Sequence, residues 1–209
     1  MIGLTRLSEL LEFIRGKKYA RFVKKKNMEY IDTITSHLTI KEKLKLYQMA
    51  KYKVRQGSSV FVEIGSYLGV SSCFIALALS EKKDTGKLYC IDTWQNDAMS
   101  EGPRDTYDEF INNSERFREE IIPVRQRSIE AAEEFDQKID YLFFDGDHSY
   151  EAVKRDWEAW FPKLNHDAVV IFHDYGWAEG VMRVIHESVM QHVSPFDNLA
   201  NMWWGWISY

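Results

Sequence analysis

Two short stretches of this chain gather most of the side chains able to do chemistry. Asp145-Gly-Asp147-His148 follows the apolar run at residues 141–144, and His173-Asp174-Tyr175 follows the apolar run at residues 168–172. Carboxylates and imidazoles with no cysteine among them suit hard or borderline divalent cations. The oxygens favour magnesium, manganese or calcium, and the mixed set admits iron or zinc. A cation held by Asp145, His173 and Asp174 would bind a substrate hydroxyl and lower its pKa. His148, whose ring ordinarily titrates near neutrality, is then the candidate general base. The plain alternative is that these residues cap helices and bond to one another, as an acid after a strand commonly does. His37, His166, His186 and His192 have no such company and are set aside.

A second pattern lies upstream, where Glu63, Gly65, Gly69 and Ser71 space out as E-x-G-x-x-x-G-x-S. The apolar run before it reads as a buried strand and the run from Cys73 to Leu79 as a helix, so the glycines mark a strand-to-helix turn. Gly65 suits a positive φ or a close ligand approach, and Gly69 lets the helix start press against whatever covers the turn. The first helical N–H groups, with Ser71, would face a carboxylate or phosphate. The spacing departs from the G-x-G-x-x-G of nicotinamide sites and from the G-x-x-x-x-G-K-[ST] of phosphate loops. An acid at Glu63 repels a pyrophosphate and suits an ammonium. A bland structural turn is the competing reading.

These residues must be positioned by a sheet. Strands are expected near residues 59–64, 87–91, 121–124, 141–144 and 168–172, with helical segments near 70–80, 129–135, 150–161 and 178–190. Alternation at this pitch predicts an α/β fold, a Rossmann-like doubly wound, mainly parallel sheet with helices on both faces. Ligands of such sheets bind at the carboxyl ends of the strands. Asp92, ending the second strand, is placed to accept ribose hydroxyls, with Thr93 beside it and Trp94 available either to cover an adenine or to fill the core. Ser128, in the loop after the third strand, falls where an adenine edge would lie. The aromatic C-terminus around residues 202–209 suits an antiparallel closing strand, with Gly205 as a bulge or close contact.

The chain has 209 residues, 45% of them hydrophobic and 14% aromatic, enough for one sizeable core. We expect an N-terminal helical extension over residues 1–55 and one Rossmann-like domain over 56–209. In the extension, Leu4, Leu7, Leu11 and Ile14 recur at helical spacing ahead of a basic segment at residues 15–26. Packing on the domain or on a second copy in a homo-oligomer is the leading reading, with membrane-surface or polyanion contact behind it. A further helix is expected from Ile40 to Lys53 with Thr39 as N-cap. The polar stretch at residues 95–118 reads equally as a lid over the acceptor or as a surface helix at 107–117. A net charge of −5 argues against a nucleic-acid partner for the chain as a whole. The two cysteines, Cys73 and Cys90, form no disulfide framework, and no run is long enough to span a membrane. A cytoplasmic location is the default.

Four segments together resemble a known family: residues 62–72, 89–94, 139–156 and 170–175. They are similar to the class I S-adenosylmethionine-dependent methyltransferases, in the branch with macrocin-type and mycinamicin-type sugar O-methyltransferases. They also resemble, more distantly, the metal-dependent catechol and caffeoyl-CoA O-methyltransferases. The likeness spans residues 59–190 in the family's order. It implies that Glu63, Gly65, Ser66, Gly69 and Ser71 contact the methionine part of S-adenosyl-L-methionine, Asp92 the ribose, Ser128 the adenine region and Asp145 both cofactor and metal surroundings. Asp145 and Asp174 match the metal carboxylates, with magnesium among the candidate ions, and His148 matches the base. Two positions depart from the pattern: His173 stands where sugar-modifying relatives can carry glutamate, and Tyr175 where catechol-type enzymes have asparagine. The expected activity is methyl transfer to oxygen of a small hydroxylated acceptor such as a sugar. A metal-dependent hydrolase or hydroxylase, and a noncatalytic adenosyl-cofactor-binding protein, are the alternatives.

Overall fold

The computed structural model describes residues 2–54, 57–82, 85–96 and 102–208, with residues 2–11 described by their backbone alone. Its helices are α1 (Ile2–Lys25), α2 (Ile40–Lys53), α3 (Val70–Lys82), α4 (Tyr107–Ser114), α5 (Ser128–Glu134), α6 (Tyr150–Trp160) and α7 (Glu179–Val184). The strands are β1 (Val60–Ile64), β2 (Lys87–Asp92), β3 (Ile121–Arg125), β4 (Ile139–Phe144), β5 (Leu164–His173), β6 (Val193–Leu199) and β7 (Met202–Ile207). One seven-stranded sheet runs in the order β3-β2-β1-β4-β5-β7-β6. The first five strands are parallel and β7 and β6 antiparallel. The order reverses between β1 and β4, and a crevice for a ligand opens at such a switch point.

Local chemistry explains why these elements form. In β4 every residue is buried, as a strand covered on both faces requires. At the start of α2, the Glu42 N–H donates to the Thr39 hydroxyl and the Thr39 N–H donates back to the Glu42 carboxylate, a reciprocal capping box. Helices cover both sheet faces with apolar residues. Phe74 and Leu77 of α3 pack on one, Val153 and Trp157 of α6 on the other.

Several expectations need correction. The basic segment does not trail behind a separate helix; α1 runs through it, and among the described residues its packed side chains are Tyr19, Phe22 and Val23, with Tyr19 and Phe22 stacked against Phe74. Ile14 is exposed, and the side chains of Leu4, Leu7 and Leu11 lie outside the described residues. The C-terminal strand β7 is internal, between β5 and β6, and a Cβ on Gly205 would come 3.1 Å from both Trp203 and Val193, so that glycine is a close contact. The edge strand β6 escaped sequence reading because an edge needs one apolar side at most, and the middle of Val193–Leu199 is exposed and mixes Ser194, Asp197 and Asn198 with Pro195 and Phe196. The helix expected at 178–190 is α7 followed by a π-helical turn at Ile185–Val189. Residues 107–117 form α4 and a short 3₁₀ turn with Phe110 and Phe117 buried, so this part is built into the fold and is not a cover. Residues 97–101 lie outside the described ones. Among the described residues no helix is long and apolar enough to cross a membrane.

Candidate active site

The turn after β1 is held by backbone on both sides. Gly65 N–H donates to Ile91 of β2, and Asp145 N–H donates to Ile64. Gly65 has φ +83, and a Cβ there would fall 2.2 Å from the Asp145 carbonyl oxygen. The glycine is demanded first by the approach of two chain segments. Gly69 has φ +87, and a Cβ there would fall 3.1 Å from the Phe110 ring of α4. Asp92 ties this turn to β2: one carboxylate oxygen accepts from Ser66 N–H at 2.8 Å and Tyr67 N–H at 2.9 Å, and the other accepts from Trp94 N–H at 2.7 Å.

Beneath the turn lies Glu63, fully buried. Its Oε2 accepts from the Ser66 hydroxyl at 2.8 Å and from the Ser72 hydroxyl, and its Oε1 has no hydrogen-bond partner among the described residues. Burial pushes this carboxyl up to about 7 against the opposing hydroxyls of Ser71, Ser72 and Ser66.

At the ends of β4 and β5, the expected cluster is assembled. His173 Nδ1 is 3.0 Å from Asp145 Oδ1 and 3.3 Å from Asp174 Oδ2, and His148 Nε2 is 2.7 Å from Asp174 Oδ2. Asp174 has φ +59, and its Oδ1 accepts from Trp177 Nε1 at 2.7 Å and Asn201 Nδ2 at 3.1 Å. Burial alone would lower His173, but Asp145, then Asp174 and Glu42, outweigh it and push the ring up to about 12. Burial likewise opposes ionisation of Asp174, yet His148 and His173 hold it well below the usual carboxylate range. Asp145 is raised by burial, with His173 opposing. His148 is raised, chiefly by its bond to Asp174.

A cavity of about 500 Å³ joins the glycine turn to this cluster. Of the residues expected from sequence, Gly65, Ser66, Gly69, Ser71, Asp145, His148, His173 and Asp174 line it. Five do not. Glu63 sits below the turn, and Asp92 beside it is engaged by three amides. Thr93 accepts from Gln95 N–H at 3.3 Å. Trp94 is turned into the core, 1% exposed, packed on Tyr107 and Phe110 with its indole donating to Tyr67, so it offers no face to a ligand. Ser128 accepts from the Trp160 indole at 2.9 Å on the α6 side. Asp147 also leaves the cluster: its carboxylate accepts from Ser149 N–H at 2.7 Å and shapes the start of α6.

Other lining residues were not legible beforehand. Thr35, Ser36, His37 and Leu38, just ahead of α2, line the cavity across from the strand ends, so His37 has functional company that its sequence neighbours do not show. Trp177 and Asn201 complete the mouth. Asn201 comes from the β6–β7 turn and brings an amide to Asp174, although Tyr175 follows Asp174 in sequence.

A family model described as a methyltransferase domain matches residues 62–175. The uncharacterized protein y4gI of Sinorhizobium fredii (strain NBRC 101917 / NGR234) is 30% identical over 115 residues, which is 54% of this chain and only 13% of that protein. Among solved structures, the O-methyltransferase from Bacillus cereus in complex with SAH is similar with a TM-score of 0.62 and 13% identity, over 92% of this chain and 90% of that one. CalS11, a TDP-rhamnose 3'-O-methyltransferase of calicheamicin biosynthesis, gives 0.57 and 17% over 78% and 76%. At these identities the two structures speak for the fold.

Proposed function

The chain belongs to the methyltransferase domain family, and from that premise we propose that it uses S-adenosyl-L-methionine to methylate an oxygen of a small hydroxylated acceptor such as a sugar. One observation carries the reading: a single cavity runs from the Gly65–Ser71 turn to the Asp145, His148 and Asp174 cluster, so donor and proton acceptor share one space. A sulfonium is already an activated methyl donor, and the protein's task is to align oxygen, carbon and sulfur and to exclude water. Gly65, Ser66, Gly69 and Ser71 line the cavity, and beneath them the buried Glu63 Oε1 lacks a partner, so this end suits the charged methionine part of the cofactor, although Glu63 itself does not line the cavity. The Bacillus cereus and CalS11 proteins are described as O-methyltransferases, and the second as acting on a sugar nucleotide; we extend that class of acceptor to this chain.

His148 is the base in this reading. With Nε2–H given to Asp174, its other nitrogen takes the acceptor's hydroxyl proton as the oxygen forms its bond to the methyl carbon and the carbon–sulfur bond breaks. The products are the methyl ether, S-adenosylhomocysteine and a protonated His148. Asp174 compensates the charge that His148 gains.

The donor set also fits a divalent cation. One atom each from Asp145, His173 and Asp174 lie within 4.8 Å of one another. Asp145 and Asp174 would offer carboxylate oxygens and His173 an imidazole nitrogen, a hard-to-borderline donor set for a divalent cation. Such a cation would supply positive charge for the acceptor oxygen as it loses its proton. Binding it requires His173 to shed a proton.

Calorimetry and thermal unfolding with S-adenosylhomocysteine test the core of the proposal. The ligand is expected to raise the melting temperature, and no binding at millimolar ligand would remove the methyltransferase reading. Methyl transfer that runs equally fast in excess chelator would remove the cation and leave the rest.

A further inference from the structure

Glu42 is 2% exposed, unusual for a residue whose apparent duty is to cap a helix. Its Oε2 accepts from Thr39 N–H at 2.7 Å and stands 3.8 Å from His173 Nε2. Burial raises its carboxyl, but His173 and Thr39 outweigh burial and leave it below the ordinary value. The cap explains the Thr39 contact. It does not explain why the carboxylate is buried against a ring whose opposite nitrogen faces Asp145 and Asp174.

A histidine ring has a broad two-fold torsional preference, so its orientation needs an outside restraint. On the Nε2 edge of His173 two groups are close. Asn201 Nδ2 lies 3.4 Å away, but an amide N–H can only donate and the Asn201 oxygen accepts from Gly176 N–H, so Asn201 cannot accept from the Nε2–H that the ring carries when Nδ1 serves as a ligand. Glu42 Oε2, at an ion-pair separation of 3.8 Å, is the carboxylate facing that edge. We propose that Glu42 is a positioning residue: its carboxylate holds the Nε2 edge of His173 and thereby aims Nδ1 between Asp145 and Asp174, as the outer carboxylate of the divalent-cation site. The inference rests on the cation reading above. It also gives α2 a part in the site, because Glu42 at its start meets His173 at the carboxyl end of β5.

The capping box supplies its own control. Glutamine serves at the third helical position as glutamate does, so Glu42→Gln keeps the cap and removes the charge. Thr39→Ala removes the hydroxyl half of the cap and keeps the carboxylate. The probe is Mn²⁺ alone, titrated into the full chain without cofactor or acceptor and followed by calorimetry and by the resonance of free Mn²⁺, with melting temperatures measured in parallel. Loss of an outer partner of a metal ligand ordinarily weakens affinity about 10–100-fold, and that is the loss expected for Glu42→Gln, at a nearly unchanged melting temperature. Thr39→Ala is expected to lower the melting temperature and leave Mn²⁺ affinity within roughly threefold. Equal Mn²⁺ affinity in wild type and Glu42→Gln, or an equal loss in Thr39→Ala, overturns the inference and spares the cation site. Wild-type protein that takes up no Mn²⁺ overturns both, and leaves the S-adenosylhomocysteine result to judge the methyltransferase reading separately.

Discussion

His148 Nε2 stands 2.7 Å from Asp174 Oδ2, which makes one imidazole–carboxylate pair out of the ends of β4 and β5. Asp174 raises the His148 pKa above its ordinary value near 6.5. The proposed base must be neutral to work, so activity is expected to rise as pH climbs through that raised value and to fall tenfold per unit below it. In pH–rate profiles the acidic limb should lie above about 6.5, and Asp174→Asn should move it back toward that figure while lowering the rate. His148→Ala should cost about 10²–10⁴ in turnover with S-adenosylhomocysteine binding intact. Turnover by His148→Ala that matches wild type across the pH range would dismiss the base.

Glu63 predicts a pH dependence of stability with the opposite sense to an ordinary paired acid. Its carboxyl titrates near 7 when folded and near 4.3 in an unfolded chain. The folded state therefore holds the proton more tightly, and its advantage is complete below about pH 4.3. That advantage is lost as pH climbs toward 7, by on the order of 3 kcal/mol. Glu63→Gln should flatten this slope and equal or exceed wild-type stability at pH 8. Urea unfolding at pH 5, 6, 7 and 8 decides it: parallel curves for the two proteins would refute the assignment.

The two turn glycines should differ in how much they resist a methyl group. Gly65→Ala drives its Cβ to 2.2 Å from a backbone oxygen at φ +83, and neither segment has room to move. A loss of roughly 3 kcal/mol or more is expected. Gly69→Ala meets only the edge of the Phe110 ring at 3.1 Å, so its cost should stay near the 1–2 kcal/mol of a left-handed alanine. Equal melting temperatures for the two variants would contradict the crossing of chain segments described at Gly65.

What sequence disclosed and what it hid divide along a physical line. Gly65, Gly69, Asp145 and Asp174 were legible because their duties are set within a few residues, by turn geometry and by strand ends that point one way. Thr39 was legible as a cap for the same reason. Trp94 was ambiguous, since its neighbours in the core, Tyr107 and Phe110, come from a later segment. His37, Asn201 and the second duty of Glu42 were not legible at all. His37 and Asn201 line the cavity and Glu42 stands behind His173, each through packing between separate elements, Asn201 on Asp174 27 residues away and Glu42 of α2 on His173 of β5, and no local spacing encodes that.

Trp177 yields the remaining prediction. It is 62% exposed, yet its indole is pinned by the 2.7 Å bond to Asp174, and its ring meets His148 edge-on with centroids 5.0 Å apart. Under the proposed function, an exposed aromatic face fixed beside His148 would serve as a platform for an acceptor ring. Ring contacts of this kind are worth about 0.5–1.5 kcal/mol beyond buried area. Trp177→Ala should therefore raise the acceptor KM roughly 3–10-fold and leave S-adenosylhomocysteine affinity unchanged, because the glycine turn lies at the other end of the cavity. Trp177→Phe separates ring from bond: it keeps a face and gives up the donor to Asp174. If stacking matters, phenylalanine restores most of the KM; if the bond to Asp174 matters, phenylalanine resembles alanine and the acidic limb of the pH–rate profile shifts with it. Kinetics on a panel of simple glycosides, scored by S-adenosylhomocysteine release, distinguishes these outcomes, and an unchanged KM in both variants would remove Trp177 from the acceptor site.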